Sequence, residues 1–372
     1  MKNYEYNFIK EIYEQPGVIQ KSLNYADPLI EKITNDFSGK INRIIFVGCG
    51  DPFMLGIAAA YAFEMWAKVP AQAIEAAEFS MYRHLVDEKV LVVLISSSGK
   101  TVKVIDAARL AKERGAPTIA LTNLVPSPIT AESELVIQTQ AGWSDSFPTK
   151  QTTTALAVLY SFALSWASKQ NKMPQEEIEN LKQELFEKVP EFVKEAFKYD
   201  RNMKSIADQF LDAPIYNFIG SGPNLVTAML GAAKMKETSQ SRSEYSNLEE
   251  YAHLHCLSLK KDDPVFVISE PGSIGERNRM VCEHIKANGG KIVVLGQNLE
   301  SESWAKIDVK FISLPDHNVM FGPLILWIPL QLFAYYTSIG KGRNPDRPPQ
   351  RGPMDYLQKI IYTSMLEGWE DR

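Results

Sequence analysis

Cysteine and histidine are scarce in this chain. Three cysteines (Cys49, Cys256, Cys282) and five histidines among 372 residues form no CxxC pair and no zinc-like spacing, so neither a disulfide framework nor a structural metal site is expected. A reducing, cytoplasmic setting fits that usage. Charge of one sign is lacking too: 40 basic against 45 acidic side chains leave a formal charge of −5, which gives no global attraction to nucleic acid or to an anionic membrane. Any anionic ligand must then be held by a local site. An uninterrupted membrane-length apolar run is also missing. The longest, Val319 to Tyr336, contains Pro323, Pro329 and Gln331 and lacks basic flanks, which predicts a buried core or interface helix rather than a membrane span. The N-terminal stretch MKNYEYNFIKEIYEQP has no apolar h-region, so no secretory signal is expected.

What is present is an ordinary globular mixture, 45% hydrophobic and 23% charged, long enough for two or three compact units. From Ile44 short β-branched runs alternate with helical stretches: IIFVG (44–48), VLVVLI (90–95), TIALT (118–122) and LVIQT (135–139). That spacing predicts a parallel sheet covered on both faces. One helix is expected from Thr101 to Arg114, with Val102, Ile105, Ala108 and Leu110 on its inner face and Gly115 as its C′ residue. The second half repeats the plan. IIFVGCG (44–50) recurs as YNFIGSG (216–222), VVLISSSG (92–99) as VFVISEPG (265–272) and APTIALTN (116–123) as GKIVVLGQN (290–298), at offsets of about 172 to 175 residues. This is a duplicated α/β unit, not a solenoid, whose period is about 20 to 50 residues. The expected organisation is N-terminal helices and a first domain over 1–172, a helical linker over 173–202, a second domain over 203–345 and a C-terminal tail over 346–372. Each domain is expected to be a doubly wound parallel sheet flanked by helices.

In such sheets ligands lie beyond the carboxyl ends of the strands, where loops open helix N-termini with free backbone N–H groups. Ser96-Ser97-Ser98-Gly99-Lys100-Thr101 follows a buried strand and offers hydroxyls, a glycine and a helix dipole to a tetrahedral oxyanion. It is not a P-loop, since the first glycine of that motif would fall at Leu94. A Ser-rich turn is also what simply caps a helix. The equivalent loop of the second copy, Ser269-Glu270-Pro271-Gly272, has an acid and a proline where hydroxyls stood, which sets the first loop apart as the functional one. The turn Gly48-Cys49-Gly50-Asp51-Pro52 resembles the start of a dinucleotide fingerprint without its third glycine, and Asp51-Pro52 also fits an ordinary N-cap and N1 pair. Cys49 reads as a small buried thiol.

At these residues the chain resembles the double-domain phosphosugar enzymes of the sugar isomerase (SIS) family. KEIYEQP (10–16) is similar to the lead-in of the isomerase half of glucosamine-6-phosphate synthase. VGCGDP (47–52), SSSGKT (96–101), PTKQTTT (148–154) and GAAKMKETSQSRSEYSNLEEYAH (231–253) match the family's substrate segments in order. The resemblance implies an α/β fold of two tandem SIS domains. It implies that Ser96, Ser98 and Thr101, with Ser97 between them, bind the substrate's 6-anion. It assigns Glu237 to the carboxylate that moves a proton between sugar carbons, with Lys234 three residues earlier on the same helical face. His253, sixteen residues after Glu237, matches the histidine that assists ring opening from a neighbouring subunit, which implies a homodimer or larger assembly with shared active sites. Gly50, Asp51, Thr149, Lys150 and His255 are candidate substrate contacts. The implied partner is a small anionic sugar, with no cofactor, no metal, no nucleic acid and no membrane.

Chemistry at C1 and C2 of a sugar needs a base for a carbon-bound proton, an acid for the ring or carbonyl oxygen and an anchor for the far end, and Glu, His and the serine loop supply these. The departures from the family choose among reactions. These residues include no counterpart of the synthase's glutaminase half, and NPDRPPQRGPMDY (344–356) puts Pro353 near the position of that synthase's active-site lysine. The tail, GCGDP and SGKT resemble fructosamine-6-phosphate deglycases, which split a 6-phosphorylated Amadori product into glucose 6-phosphate and an amine. Against this, the family's His-Gly-Pro reads His253-Leu254-His255, and Thr149-Lys150 is synthase-like. An aldose–ketose isomerase acting on a 6-phospho or 6-sulfo hexose therefore stays open, as does a non-catalytic phosphosugar sensor.

Overall fold

The computed structural model describes residues 4–82, 85–297, 304, 307 and 309–347. The chain separates into two compact units that interleave along the sequence. One is built from residues 17–143 and 150–186, the other from 4–16, 144–149 and 187–347.

The first of these holds a five-stranded parallel sheet, β1 (Arg43–Gly48), β2 (Ala71–Glu75), β3 (Val90–Ile95), β4 (Thr118–Thr122) and β5 (Leu135–Gln138), in the order β2-β1-β3-β4-β5. The doubly wound expectation is met. Ile44 to Gly48 pair with Ala71 to Glu75 on one side, and Arg43 to Val47 with Val90 to Leu94 on the other. The central strand β3 is buried along its whole length, as a strand covered by helices on both faces must be. The core joins Ile45, Val47, Val92 and Leu94 to Val104, Ile105, Ala108 and Ala111 of the helix α4 (Val102–Glu113). The inner face of α4 thus differs from the sequence expectation: Val102 and Leu110 are only half-buried, while Val104, Ala107 and Ala111 are buried with Ile105 and Ala108. Small alanines let the helix lie close to the sheet, and they carry little weight in an apolar pattern.

The other unit repeats the design with β6 (Tyr216–Gly220), β7 (Ser243–Asn247), β8 (Pro264–Ser269), β9 (Lys291–Gln297) and β10 (Lys310–Leu314), in the order β10-β9-β8-β6-β7. Matched copy for copy, this is the same strand order. The apolar run from Val319 forms a short 3-10 turn, a further helical turn at Gly322–Ile325 and a helix at Trp327–Gly340, nearly all of it buried. Gln331 within that helix is buried and accepts from Gln15 Nε2 at 2.7 Å, so the one amide in the run is satisfied. The polar stretch after Asn171 is helical and amphipathic: Ile178, Leu181, Leu185, Val189 and Val193 are buried while its Lys and Glu residues face outward.

Candidate active site

In the first sheet the strand order reverses between β1 and β3, and both candidate loops leave the carboxyl ends of those two strands. After β3 the chain turns through Ser96 to Gly99. Gly99 N–H donates to Ser96 O at 3.0 Å and closes the turn, while Asn123 N–H donates to Ser97 O at 3.1 Å and Ile129 N–H to Gly99 O at 3.0 Å, so the loop is pinned from two neighbouring segments. Gly99 sits at φ 64°, and a Cβ there would fall 2.1 Å from Ser127 Oγ, so no other residue fits without displacing its neighbour. Ser96 Oγ lies 3.2 Å from Thr101 Oγ1, Lys100 N–H donates to Ser98 Oγ at 3.2 Å, and Thr101 is the N-cap residue of α4. Thr101 makes no side-chain capping bond, which leaves its hydroxyl on the loop side with Ser96. Hydroxyls and the positive end of a twelve-residue helix therefore converge on one turn, an arrangement able to hold a tetrahedral anion.

The turn after β1 corrects one sequence expectation. Gly50, at φ 64°, is the N-cap of the helix α2 (Asp51–Ala62), and Asp51 is its first residue rather than its cap. The Asp51 carboxylate is buried and accepts from Thr152 Oγ1 at 2.9 Å on the helix α6 (Lys150–Lys169). Thr149 and Lys150 are both buried, but Thr149 closes the 144–149 segment of one unit whereas Lys150 opens α6 of the other. Thr149 Oγ1 donates to Glu11 Oε2 at 3.3 Å and Ser144 Oγ donates to the same oxygen at 2.9 Å. Cys49 donates to Glu75 Oε1 at 3.1 Å, and burial together with that carboxylate pushes its thiol up to about 12, so it stays a protonated packing residue.

In the other unit, the helix α10 (Asn224–Ser239) carries Lys234 and Glu237 one turn apart. Lys234 is fully buried, with Nζ 2.6 Å from Glu237 Oε2 and 5.8 Å from the centre of the Trp327 ring. The Glu237 side chain keeps 29% exposure. A buried ammonium thus fixes a carboxylate on a side chain that stays partly accessible, which is what a positioned general base requires. The histidines are arranged differently. His253 ends the helix α11 (Leu248–His253) with a ring 78% exposed and Nε2 3.9 Å from Glu249 Oε2. His255 is half-buried, Nδ1 3.9 Å from Glu244 Oε2. Neither histidine pairs with Glu237 in the isolated chain. Leu254 and Leu257 beside them are 60% and 80% exposed. Pro353 lies outside the described residues. Among the described residues, no cluster of three or more His, Cys, Asp or Glu side chains is placed to hold a metal ion.

A sequence model of the SIS domain matches residues 39–165 and 213–340, the two halves just described. The chain belongs to the SIS domain family. Among curated SIS proteins it is 31% identical over 347 residues to a glutamine–fructose-6-phosphate aminotransferase (isomerizing) of Thermococcus kodakarensis, covering 93% of this chain and 57% of the relative. A relative with the same name from Caldanaerobacter subterraneus is 30% identical over 353 residues, with 58% of it covered. The chain therefore spans a little over half the length of the curated relatives it matches. Among solved structures, the C-terminal domain of glucosamine-fructose-6-phosphate aminotransferase from Francisella tularensis superposes with a TM-score of 0.88 at 27% identity, covering 93% of this chain and 99% of that one. Glucosamine-6-phosphate deaminase from Thermotoga maritima shares the fold at a TM-score of 0.72 and 23% identity, covering 92% and 98%. This chain is thus related to the isomerase half of the aminotransferases.

Two SIS-site neighbours were not singled out from sequence. Glu11 and Thr152 lie within the quoted segments KEIYEQP and PTKQTTT, yet their partners, Thr149 and Ser144 for Glu11 and Asp51 for Thr152, are over 100 residues away in sequence. No local pattern points to such pairs.

Proposed function

We propose that the chain moves a proton between C1 and C2 of a 6-anionic ketose or ketosamine, and that its substrate is a 6-phosphofructosamine. The observation that carries this reading is the Lys234–Glu237 pair, a carboxylate fixed by a buried ammonium on a side chain that keeps 29% exposure. The hydroxyl-lined turn Ser96 to Thr101 supports it by offering an anchor for the 6-anion. In the forward reaction Glu237 takes the C1 proton of the ketosamine and a proton is delivered to C2. With the N–H proton passing to the C2 oxygen, this converts the C2 carbonyl into a hydroxyl and the C1 amine into a C1 imine, which water hydrolyses to glucose 6-phosphate and a free amine. Atoms balance with water as the only co-reactant. His253 serves as the acid for ring opening in a neighbouring copy; its exposed ring, flanked by exposed Leu254 and Leu257, fits a surface covered by a second chain. The aldose–ketose isomerase is the second reading, favoured by the relatedness to proteins named as isomerizing.

Proton NMR in deuterated water separates the two. Free amine with glucose 6-phosphate from 6-phosphofructosamine is expected. Deuterium entering C1 or C2 of fructose 6-phosphate or a 6-sulfonated ketose, with aldose forming and no amine released, would replace the deglycase by the isomerase. Ligand stabilisation with no product from either substrate class would make the protein a sensor. Glu237→Gln should abolish turnover while binding persists, and retained turnover would refute the assignment. For the shared site, mixing inactive Glu237→Gln and His253→Ala chains after denaturation and refolding together should restore about a quarter of wild-type activity.

A further inference from the structure

The ring of His253 is exposed, but the groups beside it are not loose. Its helix α11 is anchored by the buried Leu248 and Tyr251, and the N-cap residue Asn247 accepts from Glu250 N–H at 3.0 Å. One turn before His253 stands Glu249, with Oε2 3.9 Å from His253 Nε2. The helix α12 (Ser273–Ala287) is seated by the buried Asn278, Val281, Cys282 and Ile285, and it carries Arg277. Arg277 grips Glu249 at two points: Nε donates to Oε1 at 2.7 Å and Nη2 to Oε2 at 2.9 Å. That guanidinium holds the Glu249 carboxyl below the usual carboxylate range, so the group is an anion at neutral pH.

Stability does not account for the clamp. The Glu249 and Arg277 side chains keep 54% and 39% exposure, and an exposed ion pair contributes little to folding because water screens it and two long side chains lose freedom. A two-point fork does fix the direction of a carboxylate, which a single contact does not. His255 is the internal comparison. Its Nδ1 lies the same 3.9 Å from Glu244 Oε2, yet among the described residues no lysine or arginine pairs with Glu244. Of the two carboxylates, the one beside His253 is held from behind.

We propose that Glu249 and Arg277 are positioning residues for His253: the guanidinium fixes the carboxylate, and the carboxylate orients the ring by one nitrogen so that the other faces the substrate of a neighbouring copy. The proposal rests on the reading of His253 as the ring-opening acid, and it singles that histidine out from His255. Opening a 6-phosphorylated ketofuranose breaks the C2–O5 bond. O5 takes a proton from His253 while the C2 hydroxyl gives its own to water, and solvent reprotonates the imidazole, so the step is a net isomerisation. A ring free to rotate at the end of an exposed helix is seldom aimed at O5; a ring beside a clamped carboxylate is aimed beforehand.

The test compares two substrates in the wild type, Glu249→Gln, Arg277→Met and, as reference, His253→Ala. A 6-phosphofructosamine closes into a furanose through its 5-hydroxyl. Its 5-deoxy analogue cannot, and with O6 phosphorylated it cannot form a pyranose either, so it stays open. With the ring-forming substrate, kcat should fall about tenfold in Glu249→Gln and about threefold or more in Arg277→Met, with KM within about twofold. With the open analogue both variants should match the wild type. A general disturbance of the fold would lower both alike. Equal losses on the two substrates, or no loss on the ring-forming one where His253→Ala is impaired, would overturn the proposal and leave the acid assignment standing. Normal turnover of the ring-forming substrate by His253→Ala would remove the acid assignment and this proposal together. If the wild type releases no amine from either substrate, the deglycase reading falls, and fructose 6-phosphate with its 5-deoxy analogue, followed by deuterium uptake, decides the same question; no uptake there would overturn the proposal.

Discussion

Glu270→Gln makes a stability prediction whose size follows from the structure, where Glu270 Oε1 accepts from Asn224 Nδ2 at 2.8 Å. Burial pushes the Glu270 carboxyl from 4.5 up to about 7, and the Asn224 hydrogen bond opposes that only in part. The folded chain therefore holds a proton between pH 4.5 and 7 that the unfolded chain has released. Below that window both states are protonated and no penalty exists; through it, stability falls as pH rises; above it, the full penalty of about 2 to 3 kcal/mol is present. Glutamine removes the titration but keeps an oxygen for Asn224 Nδ2. Urea unfolding followed by tryptophan fluorescence should show the variant and wild type equal near pH 4.5. The variant should be more stable by about 2 to 3 kcal/mol at pH 8, a rise of roughly 2 to 4 °C in Tm for each kcal/mol in a unit of this size. A gain that is the same at both pH values would refute the reasoning, because it would come from packing or the amide rather than from an ionised carboxyl. A variant less stable at pH 8 would show that the carboxylate is stabilised by something other than Asn224.

Three further outcomes follow from the same geometry. Gly99→Ala should cost about 2 kcal/mol or more, from a left-handed backbone and the collision with Ser127, and should weaken phosphate binding; pairing it with Ser127→Gly should recover part of both losses in a double-mutant cycle, and strict additivity would refute the collision. Lys234→Met leaves Glu237 without its ammonium and should lower turnover about 100-fold while costing about 2 to 3 kcal/mol, read by NMR assay and urea unfolding; unchanged turnover would remove Lys234 from the site. Cys49, its thiol raised to about 12, should react with iodoacetamide at pH 8 about three orders of magnitude more slowly than a free cysteine, and rapid labelling of the native chain in a mass spectrum would contradict its burial.

The fold was legible where burial is continuous and obscure where it is not. β3, β4, β8 and β9 announce themselves as unbroken apolar runs because both their faces are covered. The edge strands β2, β7 and β10 escaped notice, and β7 shows why: Ser243–Asn247 buries only two of five side chains and carries no apolar pattern. The duplication made the architecture readable even so, since the glycine turns recur with the strands. At the site, local chemistry was visible and remote chemistry was not. Ser96 to Thr101 could be read from a strand, a turn and a helix in sequence. Asp51 was legible as a candidate but not as the partner of Thr152, because its cap position passed to Gly50 and its carboxylate to a helix 101 residues away.

The duplicated units put opposite helix ends to use. In the first copy the candidate anion turn lies at the start of α4, where N–H groups and the positive end of the dipole favour an anion. In the second copy Glu237 sits in the last turn of α10, where the dipole opposes a carboxylate. Such a position is tenable because a buried ammonium one turn back is 2.6 Å away, and Lys234 is itself tenable because it has Glu237 and the Trp327 ring for company. Each member of that pair would be costly alone. The pair is therefore a single element of the fold, and the same coupling that keeps it in the core would hold the carboxylate's orientation steady during a proton exchange. On the proposed reading, a base whose position is fixed by folding energy needs no ligand to organise it, whereas the hydroxyl-lined turn of the first copy would complete its bonding only when an oxyanion arrives.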